Sequence, residues 1–196
     1  MSALTVEHQQ GNGYGWQDLL RIWEATDAPE GCRVEIIEGI VTVAPPPSKE
    51  HNLMAHKLQK QLYPAIPDGW GIYQTLGLTV PSRNGLYIPD LVVLPEAALS
   101  GPGYQVPADE AELVVEITSP GNGGQDRVSK PAGYAAAGVP LYLLVDGWAP
   151  GGPTVTLYGQ PNGDVYRTLR AVTFGEDVPL PEPFGISLDT SGFPAA

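Results

Sequence analysis

The stretch that decides the fold runs from Leu113 to Asp146: LVVEITSPGNGGQDRVSKPAGYAAAGVPLYLLVD. It opens with Leu113 to Ile117 and closes with Leu141 to Val145. Both runs are short, continuous and rich in branched residues, the pattern of strands buried on both faces. Between them a Gly-rich turn leads into a helix starting near Arg127. A strand–helix–strand unit of this length implies a parallel pair joined by a right-handed crossover. Glu116 interrupts the first strand close to its end, where a carboxylate is costly unless it is paired or holds a cation.

Upstream, Tyr87-Ile88-Pro89-Asp90-Leu91-Val92-Val93 places a second acid inside an apolar run, Leu86 to Leu94. Pro89 removes a ladder hydrogen bond, so this spot is an edge, a bulge or a strand start. Before it, Trp70, Ile72, Leu76, Leu78 and Val80 alternate, with Gln74 the only break, and predict one long half-buried strand. Ser48 is placed to cap a helix on which Met54, Leu58 and Leu62 recur every four residues, until Pro64 and Pro67 end it. RVEIIEGIVTVAPPP, Arg33 to Pro47, reads as a hairpin around Glu38-Gly39. Trp16, Leu19, Leu20 and Trp23 give one apolar face to a helix over Trp16–Ala25. Downstream, Val155 to Tyr158 and Val165 to Leu169 flank Pro161-Asn162-Gly163-Asp164 as a second hairpin. The sum is an α/β (α+β) domain with a mixed sheet over residues 16–170. A flexible N-terminus covers 1–15, and a Pro/Gly-rich extension, 171–196, wraps the surface.

Composition narrows the function. A chain of 196 residues suits one domain and buries about 70% of its unfolded surface. Apolar residues are 42% and charged residues 16%, a globular balance, and 24 Gly with 21 Pro and no period imply many turns rather than collagen. No run approaches the ~18 apolar residues of a membrane helix. The N-terminus lacks the basic start and apolar run of a secretory signal. Cys32 stands alone, which excludes an internal disulfide and a cysteine zinc cluster. A cytoplasmic protein is expected. Ten basic against 22 acidic side chains give −12, which opposes non-specific coating of nucleic acid. It leaves room for a local phosphate site whose charge comes from metal. Gly121-Asn122-Gly123-Gly124 lacks the spacing of a dinucleotide or phosphate loop, and no GxSxG nucleophile elbow occurs.

Asp90 and Glu116, on neighbouring strands, are what a hard cation needs: Mg²⁺ takes one or two carboxylates and keeps positions for water and phosphate. Lys130, in the first turn of the following helix, can point back at the strand end, with Tyr134 one turn further on the same face. Each residue also has a structural reading. Asp90 can be a turn acid, Glu116 an ion-pair partner and Lys130 a solvated lysine. Asp126 reads as the N-cap of the helix, because Pro131 tolerates only a first turn.

The order Pro89-Asp90, Val114-Val115-Glu116-Ile117-Thr118-Ser119-Pro120, Asp126-(x)3-Lys130-(x)3-Tyr134-Ala135 and Gly138 to Asp146 resembles the Uma2 (DUF820) family. These are bacterial endonucleases of the restriction-endonuclease-like PD-(D/E)XK fold. The resemblance covers residues 16–170 and implies a mixed sheet flanked by helices, with an added N-terminal helix and hairpin and a C-terminal hairpin. It implies Mg²⁺ or Mn²⁺ held by Asp90 and Glu116, DNA as substrate, and a homodimer. The family motif places Lys two residues after the second acid, where this chain has Thr118; the resemblance makes Lys130 its substitute. Glu35 becomes a further acid near the metal, against a solvent-facing strand acid. His51 falls where the family often carries a His, against a surface residue at a helix start. Asp126 and Tyr134 complete the accessory set. The alternative is a catalytically degenerate module of the same fold that binds nucleic acid or a protein. The −12 charge and Thr118 favour it. Lys49, Lys57, Lys60, Arg83, Arg127 and Lys130 form one basic patch only if the second and third helices lie side by side.

Overall fold

The computed structural model describes residues 14–121 and 123–194. The N-terminal segment expected to be flexible falls almost wholly on residues 1–13, outside the described residues, as does Asn122 of the Gly-rich turn. Helix α1, Trp16–Ala25, is pinned to the next strand by Trp23 Nε1, which donates to the Val34 carbonyl at 2.6 Å. β1, Arg33–Ile37, and β2, Ile40–Ala44, form the expected hairpin. Its two turn residues, Glu38 and Gly39, both have positive φ (50° and 80°), the backbone that a tight two-residue hairpin requires. Helix α2, Lys49–Leu62, starts as expected at Ser48, whose side chain accepts from the His51 N–H at 3.2 Å.

β3, Trp70–Tyr73, and β4, Gly77–Val80, replace the single long strand expected over 70–80. Thr75 sits at φ 60°, and the chain leaves one sheet for another there. The apolar run from Leu86 to Leu94 divides in the same way, into β5, Gly85–Tyr87, and β6, Leu91–Pro95. Pro89 and Asp90 lie at that division, so Asp90 stands at a strand start. The chain then forms β7, Gln105–Pro107, and β8, Leu113–Ile117. Helical turns begin at Gly123, earlier than expected. A π-helical turn over Gln125–Ser129 runs directly into α3, Lys130–Ala136. β9, Leu141–Asp146, follows, and β10, Thr154–Asn162, and β11, Val165–Thr173, make the C-terminal hairpin.

Among the described residues, six strands form one sheet in the order β11-β10-β9-β8-β6-β3, and five form another in the order β2-β1-β5-β4-β7. β8 and β9 are the expected parallel pair, with Glu116 opposite Leu144. Strand alternation then sets the layers. Leu91, Val93, Leu113, Val115, Ile117, Leu143 and Val145 face α2 (Met54, Leu58, Leu62) and a C-terminal segment carrying Val178, Phe184 and Leu188. Val92, Leu94, Val114, Tyr142 and Leu144 face the other way, against Tyr134 of α3 and Leu78, Val80 and Tyr87 of the five-stranded sheet. Helix α1 covers the outer side of that sheet through Leu19, Ile36 and Leu86. The second and third helices therefore lie on opposite faces of the large sheet, which overturns the single basic patch that needed them adjacent. Arg83 is also drawn away, into ion pairs with Glu38 and Asp164.

Between the sheets, the Tyr87 ring stands edge-on to Tyr134 at 5.2 Å, and its buried hydroxyl has no hydrogen-bond partner among the described residues. A buried hydroxyl without a partner is a cost to the fold. Tyr87→Phe is therefore expected to leave stability unchanged or raise it by about 1 kcal/mol, roughly 2–4 °C in Tm by thermal denaturation. A clear loss would show that the hydroxyl is satisfied.

Candidate active site

Three acids converge on one lysine where the two sheets meet. Lys130 Nζ lies 3.0 Å from Glu35 Oε1, 3.1 Å from Glu116 Oε1 and 3.5 Å from Asp126 Oδ1. The sequence pattern explains each position. On β1, Ile36 faces α1, so Glu35 and Ile37 face inward, towards the large sheet. On β8, Val115 and Ile117 face α2, so Glu116 shares the α3 side with Val114. Lys130 opens α3, at the end of the π-helical turn that carries Asp126.

Asp90 completes the group through the β6–β8 ladder. Its N–H donates to the Val115 carbonyl at 3.1 Å, and its Oδ2 accepts from the Ile117 N–H at 2.7 Å, so it lies beside Glu116. Oδ1 accepts from Arg33 at 2.6 Å, and Oδ2 lies 3.0 Å from His51 Nε2. Arg33 also donates to the Ile88 carbonyl at 3.2 Å. The Ile88 N–H in turn donates to Glu35 at 2.6 Å. Tyr134 donates its hydroxyl to Glu116 Oε1 at 3.0 Å and so orients that acid.

These contacts and the burial of the side chains remove several of the structural readings, while the Glu116–Lys130 pair matches the ion-pair reading of Glu116. Lys130 is 1% exposed, Glu35 2% and His51 6%, which overturns a solvated lysine, a solvent-facing acid and a surface histidine. Asp126 is not an N-cap: it lies within the helical turns with its carboxylate buried and facing Lys130. Thr118 supplies no charge; its hydroxyl donates to Asp146 Oδ1 at 2.9 Å, tying β8 to β9. Arg127 is engaged with the same acid, at 2.7 Å and 2.9 Å. Two residues of this network escaped the sequence reading, Arg33 and Asp146. The signal for Arg33 was its position two residues before Glu35, on the same face of one strand.

The charges do not balance. Asp90, Glu116, Glu35 and Asp126 are four carboxyl groups and Lys130 and Arg33 two permanent cations, so ionising all four acids would leave two negative charges unmatched. Burial pushes the Glu116 carboxyl well above its ordinary range; Lys130 opposes this, while Asp126, Asp90 and Glu35 add to it. Burial likewise pushes Asp126 up to about 6, against the pull of Lys130. Asp90 goes the other way: burial raises it, but His51, Arg33 and the Ile117 N–H together hold it below its ordinary value. Burial disfavours the Lys130 ammonium, yet the surrounding carboxylates keep it protonated well above the usual lysine range. Among the described residues, no three His, Cys, Asp or Glu side chains are already arranged around one metal position. The donor set nonetheless suits a hard divalent cation, because Asp90 and Glu116 are adjacent carboxyl groups and such an ion could offset the charge that protons on Glu116 and Asp126 otherwise cancel.

A profile of the Uma2 family, described as "putative restriction endonuclease", matches residues 16–191. Among solved structures, one described as a "putative nuclease belonging to DUF820" from Anabaena variabilis ATCC 29413 superposes with a TM-score of 0.65. The match covers 91% of this chain and 96% of that chain at 16% identity, and so shows the shared fold. No curated protein is a significant match. No helix among the described residues is long and apolar enough to cross a membrane.

A raised carboxyl pKa means that the folded state resists ionisation, so this contribution to stability is lost as pH rises from the ordinary glutamate value towards the folded one. Glu116→Gln is therefore expected to raise Tm in metal-free buffer, by about 2–4 °C at pH 8 and by less at pH 4, where both proteins are neutral at this position. A variant less stable than the wild type at pH 8 would contradict this.

Proposed function

The chain belongs to the Uma2 family, and on that premise we propose that it is a metal-dependent endonuclease that hydrolyses phosphodiester bonds in DNA. The observation that carries the proposal is the buried surplus of carboxylates around Lys130 at the joined ends of β6 and β8. Structural ion pairs tend towards neutrality, because burying unpaired charge is costly. A cluster whose acids outnumber its permanent cations is suited to receiving a metal ion in place of protons.

In this reading Asp90 and Glu116 hold Mg²⁺ or Mn²⁺, with Glu35 and Asp126 as the nearest further acids. An ion held there would polarise the scissile phosphate and bring the pKa of a bound water towards neutrality. The protein's own groups do the rest. Arg33 and His51 keep Asp90 ionised and fix its orientation. Tyr134 fixes one oxygen of Glu116. Lys130 brings a permanent positive charge to the place where negative charge develops on the phosphoryl oxygens, the part that the motif lysine would otherwise play. Its burial makes that charge more effective than it would be in water.

A second reading is a module of the same fold that binds without cutting. It is favoured by the net charge of −12, by Thr118 standing where the motif has Lys, and by Arg127 being engaged with Asp146. Nicking of supercoiled DNA with Mg²⁺ or Mn²⁺ separates the two. The nuclease reading expects wild-type cleavage that EDTA abolishes, with rates at least about 100-fold lower in Asp90→Asn, Glu116→Gln and Lys130→Met. Circular dichroism would check that each variant is folded. No cleavage by folded wild type, or cleavage that survives Asp90→Asn, would favour the binding module.

A further inference from the structure

We propose that Tyr142 is a positioning residue of this site: its hydroxyl holds the π-helical turn that seats Asp126 and Lys130. In an α-helix each N–H donates to the carbonyl four residues back. The Lys130 N–H donates instead to Gln125, five back. The Asp126 carbonyl therefore loses its α-helical donor. The donor it would have in a continued π register is residue 131, which is Pro and has no N–H. Such a carbonyl needs a partner from outside the helix, since backbone groups buried without one are rare and costly. Tyr142 provides it, donating its hydroxyl to the Asp126 carbonyl at 2.6 Å.

Tyr142 is well placed for this. It lies on β9, fully buried, with its ring 5.6 Å from Tyr134, 5.8 Å from Tyr158 and 6.1 Å from Tyr166. The hydroxyl is thus presented from a strand held by the sheet on one side and by rings on the other. The extra residue in the turn matters to the acid cluster. In an α register Asp126 and Lys130 would still be i,i+4 neighbours, so the extra residue does not create their contact; it sets the angle from which the Asp126 carboxylate meets Lys130 Nζ. Single π turns occur frequently at functional sites; here Pro131 and Tyr142 give this one a cause.

The link to catalysis rests on the nuclease reading above; the link to backbone geometry does not. Tyr142→Phe removes the hydroxyl and keeps the ring. Tyr166→Phe is its matched control, because Tyr166 belongs to the same stack and donates to another backbone carbonyl, Val139, at 2.7 Å. Crystal structures and nicking kinetics of both variants form the test. In Tyr142→Phe the Lys130 N–H is expected to move to the Asp126 carbonyl, and kcat to fall about 10- to 100-fold with KM unchanged. Tyr166→Phe is expected to lower Tm by a similar few degrees with kcat intact. A π turn and a kcat both preserved in Tyr142→Phe would overturn the proposal. So would loss of the fold in Tyr142→Phe alone, since two bonds of one kind should then cost the fold equally. If wild type does not nick DNA, the nuclease reading fails, and the acceptor of the Lys130 N–H in the crystal structures still decides the role of Tyr142.

Discussion

The ammonium of Lys130 is the point on which three parts of the molecule agree. Glu35 reaches it from the five-stranded sheet, Glu116 from the centre of the six-stranded sheet, and Asp126 from the helical turn just before it. A lysine this deeply buried is retained only if acids surround it, and those acids are tolerated only because the lysine is there. Removing the lysine would strand the acids around it, a loss of the kind that generally costs about 3–5 kcal/mol. The cluster therefore fastens the two sheets to each other, and it holds an excess of carboxylate that no apolar core of the same shape would contain.

The rest of the fold serves that meeting point. The chain crosses between the sheets near Thr75 and again at Pro89-Asp90, and the second crossing leaves a carboxylate at the start of a central strand. The antiparallel register of β6 with β8 then sets Asp90 beside Glu116. The parallel register of β8 with β9 allows Thr118 and Asp146 to close the strand ends, with Arg127 bound to the same acid. The strained-looking features, a π turn and an ionisable cluster out of balance, fall within this one region. That is where local rules are expected to give way to function.

Much of this is legible in the sequence. The apolar runs at 113–117 and 141–145 specify buried parallel strands because no exposed face could use their branched side chains. Ser48, Pro89 and Glu38-Gly39 mark boundaries through backbone chemistry that tertiary context does not change. Pattern failed where one apolar phase runs through a corner. Residues 70–80 keep alternating and 86–94 stay largely apolar, but the chain passes from one sheet to the other inside each, and neither pattern says which sheet a residue joins. Asp90 and Glu116 were visible as acids out of place in apolar strands, and Lys130 as a cation one loop away. Their pairing was not: Arg33 and His51 meet Asp90 from 57 and 39 positions away, and such contacts follow from topology rather than spacing. Asp126 reads as a cap because Pro131 ends a normal first turn, and only the π register allows helical turns to begin before it.

The claim at the centre of this account is that the carboxylate surplus is a metal centre. Titration of the metal-free protein with Mn²⁺, followed by electron paramagnetic resonance of the free ion, measures this without reference to any substrate. Saturable binding that disappears in Asp90→Ala and is weakened in Glu35→Gln is the result the account predicts. A folded wild type that leaves Mn²⁺ free at millimolar concentration would contradict it, and the four acids would then be a structural cluster neutralised by protons and by Lys130 and Arg33 alone.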